Sequence, residues 1–386
     1  MRDVLDPLLT AWQSDQTAGL VTVVRTFKSA PRDPGAAMLV TPDGAASGSV
    51  SGGCVEGAAY ELATDAIQGA GPLLQRYGIS DDDAFEVGLT CGGILDLFVE
   101  PVSKATFPGF DRVADDVRAG RPVAIATVIE HVDPERVGAR LIVRPGSVEG
   151  TLGSKDADTR VAEDVTGLLA SGITGTLEFG PDGERMGEGM RVFVNSFAPA
   201  ARLIVFGAID FASALARLGG FLGYHVTVCD ARPVFATPAR FPDVDELVVE
   251  WPDQYLTEQI EQGRIDERTV ICVLTHDPKF DVPVLKAALR GPRVAYIGAM
   301  GSRRTHSDRE RRLLKAGLTR DELARVHSPI GLDLGARTPE ETAVAIAAQL
   351  ISLRWGGTGA QLSAESGPIH RELLPLEPTP LVGERR

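Results

Sequence analysis

The stretch Arg202-Leu203-Ile204-Val205-Phe206-Gly207-Ala208-Ile209-Asp210-Phe211-Ala212, running on to Gly220, decides the fold. A β-branched apolar run feeds a glycine turn, and the turn opens a segment with helical spacing. That is the first strand–turn–helix of a Rossmann-like α/β unit. Downstream, RLIVFG, HVTVCD, ELVVEW, TVICVLTHD and RVAYIGAM alternate with helical segments. Apolar strands alternating with helices predict a doubly wound parallel sheet, covered on both faces. The last helix opens at Thr338-Pro339-Glu340-Glu341, with Thr338 as N-cap, Pro339 at the first helical position and Glu341 completing a capping box.

The turn itself departs from the dinucleotide fingerprint, which needs three small positions, G-x-G-x-x-G/A. Gly207 fills the first and Ala212 the third, but Ile209 occupies the second, where backbone should approach a pyrophosphate. Asp210 adds a negative charge. A carboxylate roughly 4 Å from a phosphate costs on the order of 4 kcal/mol at an effective dielectric near 20. Asp230 ends the second strand, where a ribose-binding carboxylate belongs. Two readings of Gly207 stand: a ligand turn, and a tight turn without ligand. An NAD(P)-dependent oxidoreductase is therefore a rival function that Ile209 and Asp210 disfavour. Replacing them by Gly and His restores nucleotide affinity if the rest of the site is intact.

Other strand ends carry more chemistry. Thr275-His276-Asp277 lies where the fourth strand of this half meets its loop, and ligands in open parallel sheets bind outside the carboxyl ends of strands. Gly298, Gly301, Ser302, Arg303 and Arg304 precede a helix, whose N–H groups and arginines suit an anion. A solvated basic helix start is the alternative. Gly331, Asp333 and Gly335 form a third candidate loop. Cys229 and Cys272 sit inside apolar strands and read as core packing.

The first half predicts an α+β domain over 1–198, ahead of the Rossmann-like domain at 199–356 and a tail at 357–386, extended or disordered. Val4, Leu5, Leu8, Leu9 and Trp12 mark an opening helix, LVTVVRTF a strand, and AAMLV-TPDG-AASGSV a hairpin. SGGCVE leads into a helix with Val55, Ala59, Leu62 and Ala66 on one face. GLTCGG leads into the strand ILDLFVEPV, where Asp96 and Leu97 break the alternation. Further strands are expected at 122–129, 139–143 and MRVFVNSF, with a helix over 156–169.

Cys54 and Cys91 are framed by glycines: Gly52 and Gly53 before one, Gly92 and Gly93 after the other. Adjacent glycines let backbone approach a ligand closely. A helix N-terminus favours the thiolate, the form that acts as nucleophile and metal ligand, and Glu56 partly opposes that effect. Small residues in tight turns are the alternative reading. Two isolated cysteines do not make a zinc site, whereas a soft metal that brings its own cofactor ligands suits one or two thiolates.

Composition narrows the function. A net charge of −14, from 39 basic and 53 acidic residues, gives no nucleic-acid footprint. The N-terminal run contains Asp3 and Asp6 and is not a signal peptide, and no apolar stretch approaches the roughly 20 residues of a membrane helix. Four cysteines fit a reducing cytoplasm. They also exclude two all-thiolate [2Fe–2S] clusters, which need about eight. Leu373, Leu374 and Leu376 permit a homodimer.

Taken together, SAPRDPGAAMLVTPDGAASGSVSGGCVE, GLTCGG, LTHDPKFD, YIGAMGSRRT and SPIGLDLGARTPEETAVAIAAQL resemble the XdhC/CoxI family, in the family's order and from about residue 20 to 356. The resemblance implies a non-catalytic maturation factor, a chaperone that binds molybdenum cofactor (molybdopterin) and presents it to a cysteine desulfurase. There a terminal oxo ligand is exchanged for sulfido before insertion into a xanthine dehydrogenase-type molybdenum hydroxylase. The candidate cofactor-binding residues are Arg32, Gly52, Gly53, Cys54, Cys91, Gly92, Gly207, Asp230, His276, Asp277, Gly301, Ser302 and Arg303. The resemblance matches Cys54 and Cys91 to the family's motifs as candidate molybdenum ligands, without fixing which of them touches the metal. A persulfide relay through either cysteine is a further alternative. The family usually carries GAGHV where this chain has Gly207-Ala208-Ile209-Asp210-Phe211.

Overall fold

The computed structural model describes residues 1–27, 32–78 and 93–366. The chain forms two compact units, Met1–Pro199 and Ala200–Ser366.

In the first unit, α1 (Leu5–Gln13) is followed by β1 (Ala18–Phe27), β2 (Ala37–Val40), β3 (Ala46–Gly48), α2 (Glu56–Ile67), β4 (Leu73–Tyr77) and β5 (Ile94–Val102). The five strands form an antiparallel sheet in the order β3-β2-β1-β5-β4. Helix α2 packs on this sheet through Val55, Ala59, Ala63 and Ala66. Gly19 makes that possible: a Cβ there would overlap the backbone of Ala63. Helix and strand thus meet backbone to backbone at Ala63.

The unit continues with α3 (Phe110–Arg118), β6 (Val123–His131), β7 (Arg140–Arg144), β8 (Ser147–Thr151), α4 (Lys155–Ser171), β9 (Gly175–Phe179) and β10 (Met190–Phe197). A second antiparallel sheet runs β8-β7-β6-β10-β9, with α4 on it through Val161, Val165 and Leu169. Strands β4, β8 and β9 are not anticipated from the sequence because edge strands are half exposed and carry little apolar alternation. Helix α3 is also absent from the sequence reading, although Phe110, Val113, Ala114 and Val117 mark it at helical spacing and are buried.

The second unit contains β11 (Arg202–Phe206), α5 (Asp210–Phe221), β12 (His225–Cys229), β13 (Glu246–Val248), α6 (Pro252–Glu261), β14 (Val270–Val273), α7 (Pro278–Arg290), β15 (Tyr296–Ala299), α8 (Arg303–Lys315), α9 (Arg320–Leu323), β16 (Val326–His327) and α10 (Pro339–Trp355). All neighbouring strands are parallel, in the order β13-β12-β11-β14-β15-β16. Alternate residues of β11 feed two cores: Leu203 and Val205 pack with α5 and α10, Ile204 and Phe206 with α6, α7 and α8. This is the expected doubly wound sheet. The capping box at Thr338 and Glu341 is formed. Among the described residues no helix is long and apolar enough to cross a membrane.

The broken alternation in ILDLFVEPV has a physical cause. Strand β5 lies between β1 and β4 and is buried along nearly its whole length, and Asp96 is only 3% exposed. Arg76 of β4 grips it with two bonds, Nε to Oδ1 at 2.6 Å and a terminal nitrogen to Oδ2 at 2.8 Å. Arg76→Ala leaves a buried, unpartnered carboxylate and is expected to destabilise by about 3 kcal/mol. Asp96→Ala leaves an arginine that reaches water and is expected to cost less. Urea unfolding of both variants checks the asymmetry; equal losses contradict it.

Candidate functional site

The loop between β3 and α2 is organised by one carboxylate. Glu56, the first residue of α2, accepts hydrogen bonds from the Ser51 N–H at 2.8 Å, the Gly52 N–H at 2.9 Å and the Gly53 N–H at 2.8 Å. It also accepts from the Ser49 hydroxyl at 2.7 Å and from the Ser51 hydroxyl. The Ser51 oxygen in turn accepts from the N–H groups of Cys54 and Val55. Every backbone N–H from Ser51 to Val55 is therefore satisfied from within the chain. Burial raises the Glu56 carboxyl, but the serine hydroxyls and N–H groups outweigh it and bring it down to about 2.

This extends the sequence reading of Glu56. The glycine N–H groups are not open to an anionic ligand, and Glu56 is the centre of the loop, not only a charge opposing a helix dipole. Gly52 and Gly53 are still needed, with φ of 76° and 123°, and both are exposed with open space above them. Cys54 follows them, half-buried. Cys91 and Gly92 lie outside the described residues, as do Leu373, Leu374 and Leu376. Arg32 pairs with Asp3 at 3.2 Å. It lines a surface pocket of about 420 Å³ with Gly35, Thr174 and Asn195 that does not include the Cys54 loop. Among the described residues no cluster of three or more His, Cys, Asp or Glu could hold a metal by itself.

The Rossmann turn is closed by a second internal carboxylate. Asp230, 1% exposed, accepts from the Ala208 N–H at 2.7 Å and the Arg232 N–H at 2.9 Å. The Arg232 guanidinium adds bonds of 2.9 and 2.8 Å to its two oxygens, and stacks over Phe235. Burial alone would raise Asp230; these contacts outweigh it and hold the carboxyl below the usual range. Its oxygens are fully used, so Asp230 is not available to a ribose, contrary to the sequence expectation. Gly207 has φ 110°, and a Cβ there would lie 2.8 Å from the Thr275 methyl. Its glycine serves close approach between β11 and the end of β14. Ile209 packs half-buried against the apolar core, and exposed Asp210 pairs with Arg240 at 2.9 Å. The repulsion expected of Asp210 is thus largely neutralised, and it is Asp230 that closes the turn.

At the end of β14, His276 is exposed, whereas Asp277 caps α7, accepting from the Lys279 N–H at 3.1 Å. Ser302 caps α8 through the Thr305 N–H. Arg303 and Arg304 follow in the first helical turn, exposed and with no acidic neighbour there. Gly331 donates its N–H to Gln349, and Asp333 is exposed. Cys229 and Cys272 are buried core residues whose thiols are pushed up by burial.

A buried ion pair absent from the sequence reading joins these strand ends. Asp281 of α7 is 4% exposed and Arg309 of α8 is 3% exposed. Arg309 donates to Asp281 at 2.8 and 3.2 Å, to the Met300 carbonyl at 2.7 Å and to the Ser328 hydroxyl at 3.2 Å. The Thr275 hydroxyl donates to the other Asp281 oxygen. Burial pushes Asp281 up, against the pull of Thr275 and Arg309. The only advance signals were an aspartate in the apolar stripe of one helix and an arginine at a core position of the next.

Fold and site define a two-unit α/β protein, in which a parallel Rossmann unit follows an α+β unit that presents a glycine-framed cysteine. The XdhC Rossmann domain model matches residues 203–350, and the XdhC and CoxI family model matches 11–78 and 116–180. The chain belongs to the XdhC and CoxI family. It is 28% identical over 353 residues to a protein of Bacillus subtilis strain 168 named as a probable xanthine dehydrogenase subunit, covering 91% of this chain and 96% of that protein. It is 27% identical over 354 residues to the molybdenum cofactor insertion chaperone PaoD of Escherichia coli strain K12, covering 92% and 88%. A crystal structure described as a xanthine dehydrogenase from Bacillus halodurans superposes with a TM-score of 0.63 at 26% identity, covering 91% of this chain and 95% of that one.

The two internal carboxylates can each be tested. Glu56 is ionised far below the usual carboxylate range of about 4.5, so its contribution to stability is complete above that value and is lost as pH falls towards about 2. Glu56→Gln is expected to cost about 1–2 kcal/mol at neutral pH. The gap from wild type should close on acidification through that window; thermal melts from pH 7 to 2 measure it, and a pH-independent gap contradicts the assignment. In the Rossmann turn, Ile209→Gly with Asp210→His is expected to leave NADH unbound, because Asp230 and Arg232 still occupy the turn. Micromolar binding in a fluorescence titration of that double variant would refute this.

Proposed function

We propose that this protein is a chaperone that binds molybdenum cofactor and assists its insertion into a xanthine dehydrogenase-type molybdenum hydroxylase. The observation that carries the reading is the relation, over 92% of the chain, to a protein named a molybdenum cofactor insertion chaperone. The Cys54 loop supports it chemically. A thiolate is a soft ligand suited to a metal that carries its own sulfur ligands. The open space over Gly52 and Gly53 leaves room for a planar cofactor to approach the backbone.

With the loop N–H groups spent on the Glu56 carboxylate, this loop suits a metal and not an anion. The start of α8 in the second unit, with Arg303 and Arg304, by itself suits an anion such as a phosphate. Cys91 is proposed as a second thiolate. Sulfuration of the cofactor, with a cysteine desulfurase as sulfur donor, is the finer step proposed here. The Bacillus proteins carrying the dehydrogenase name match a chain with four cysteines, too few for two all-thiolate iron–sulfur clusters. An accessory role to such an enzyme fits this chain better than its redox chemistry, and a cytoplasmic location and a homodimer are consistent with it.

The test is to purify wild type and Cys54→Ala from a host that makes the cofactor, then to measure molybdenum and oxidised-pterin fluorescence per chain. Wild type is expected to carry both. The variant is expected to retain them about ten-fold less tightly, a loss near 1.4 kcal/mol. Unchanged retention removes Cys54 from the site, and wild type with neither metal nor pterin overturns the cargo reading.

A further inference from the structure

The Asp281–Arg309 pair is an ion pair of the second unit in which both partners are buried, and no ligand role explains it. Two opposite charges at 4% and 3% exposure have been taken out of water, which costs both of them their hydration. Pairs of this kind are often replaced by well-packed apolar residues with no loss of stability. Stability alone therefore does not account for it. Its bonding pattern does: one arginine reaches an aspartate, a backbone carbonyl and a hydroxyl on three different segments, and the aspartate takes a hydroxyl from a fourth.

Those segments share one property. Thr275 directly precedes His276 and Asp277 after β14. Met300 directly precedes Gly301 and Ser302 after β15. Ser328 opens the loop of Pro329, Ile330 and Gly331 after β16. These are the carboxyl-end loops of three consecutive strands, on the edge of a parallel sheet where ligands bind. On the other half of that edge, at β11 and β12, Asp230 is engaged by the Ala208 N–H and by Arg232. We propose that Asp281 and Arg309 are positioning residues that lock the loops after β14, β15 and β16 into one preformed ligand platform. The identity of the ligand rests on the cofactor reading above; the locking does not.

The planar fork of Arg309 is central to this, because a lysine can pair with Asp281 but cannot also span Met300 and Ser328. The experiment uses the full chain and amide hydrogen exchange read by mass spectrometry, with pterin content measured on the same samples. In Asp281→Leu/Arg309→Met, melting temperature is expected to stay near wild type. Exchange in 275–277, 300–302 and 328–331 is expected to rise about ten-fold, while β11 and β12 keep their protection. Arg309→Lys, which keeps the charge, is expected to loosen 300–302 and 328–331 and spare 275–277. This second variant decides the matter if the double variant fails to fold. Unchanged exchange in the three loops of either folded variant overturns the locking. Loosened loops with undiminished pterin content overturn the ligand platform. Wild type without pterin defeats the cofactor reading alone, and the exchange data then still decide the locking.

Discussion

A cluster of backbone N–H groups that converges on one point has to find an acceptor, and glycine-rich turns create such clusters. In this protein the acceptor is supplied from within. Glu56 collects the N–H groups of Ser51, Gly52 and Gly53, and Asp230 takes the Ala208 N–H at the Rossmann turn. A carboxylate with several donors is a strong arrangement, since charge-assisted bonds exceed neutral ones and an unmet buried donor costs more than a made bond gains. Both turns are consequently preformed. At the first turn the N–H groups of Ser51 to Val55 are all spent within the chain, and at the second the Ala208 N–H is.

The second unit is accordingly asymmetric along its ligand-binding edge. At β11 and β12 the Asp230 carboxylate is engaged by Ala208 and Arg232, and Arg232 lies over Phe235. At β14, β15 and β16 the loops remain exposed at His276, Arg303, Arg304 and Asp333, while a buried ion pair ties them together underneath. The doubly wound sheet is that of a Rossmann domain, while its first turn departs from the dinucleotide fingerprint at Ile209.

Much of this was legible in the residues. The alternation of apolar strands with helices specified the parallel sheet, and the Thr338 box marked the start of α10 to the residue. The hairpin turn at Pro42 to Gly44 and the helix after Cys54 were also readable, because turn chemistry and helical spacing are local. Edge strands β4, β8 and β9 were not, since their residues are held by a neighbour's hydrogen bonds and not by their own pattern. Asp96 looked like a defect in a strand because its partner, Arg76, lies on the adjacent strand, twenty residues away in sequence.

For the sites, sequence singled out the candidate residues: the glycine-framed Cys54, the carboxylates Asp210 and Asp230, and the arginines that open α8. It also determined that Ile209 departs from the fingerprint. Tertiary structure decided who holds whom. Whether Asp230 meets a ribose or an N–H of its own chain depends on Arg232 and on how closely Gly207 approaches Thr275. That the N–H groups of Gly52 and Gly53 meet Glu56 depends on how the loop after β3 folds back on the first residue of α2, a helix that Gly19 lets lie directly on β1. Hydrogen bonds and ion pairs are short-ranged and directional, so their partners are known only once the chain has brought distant residues within about 3 Å.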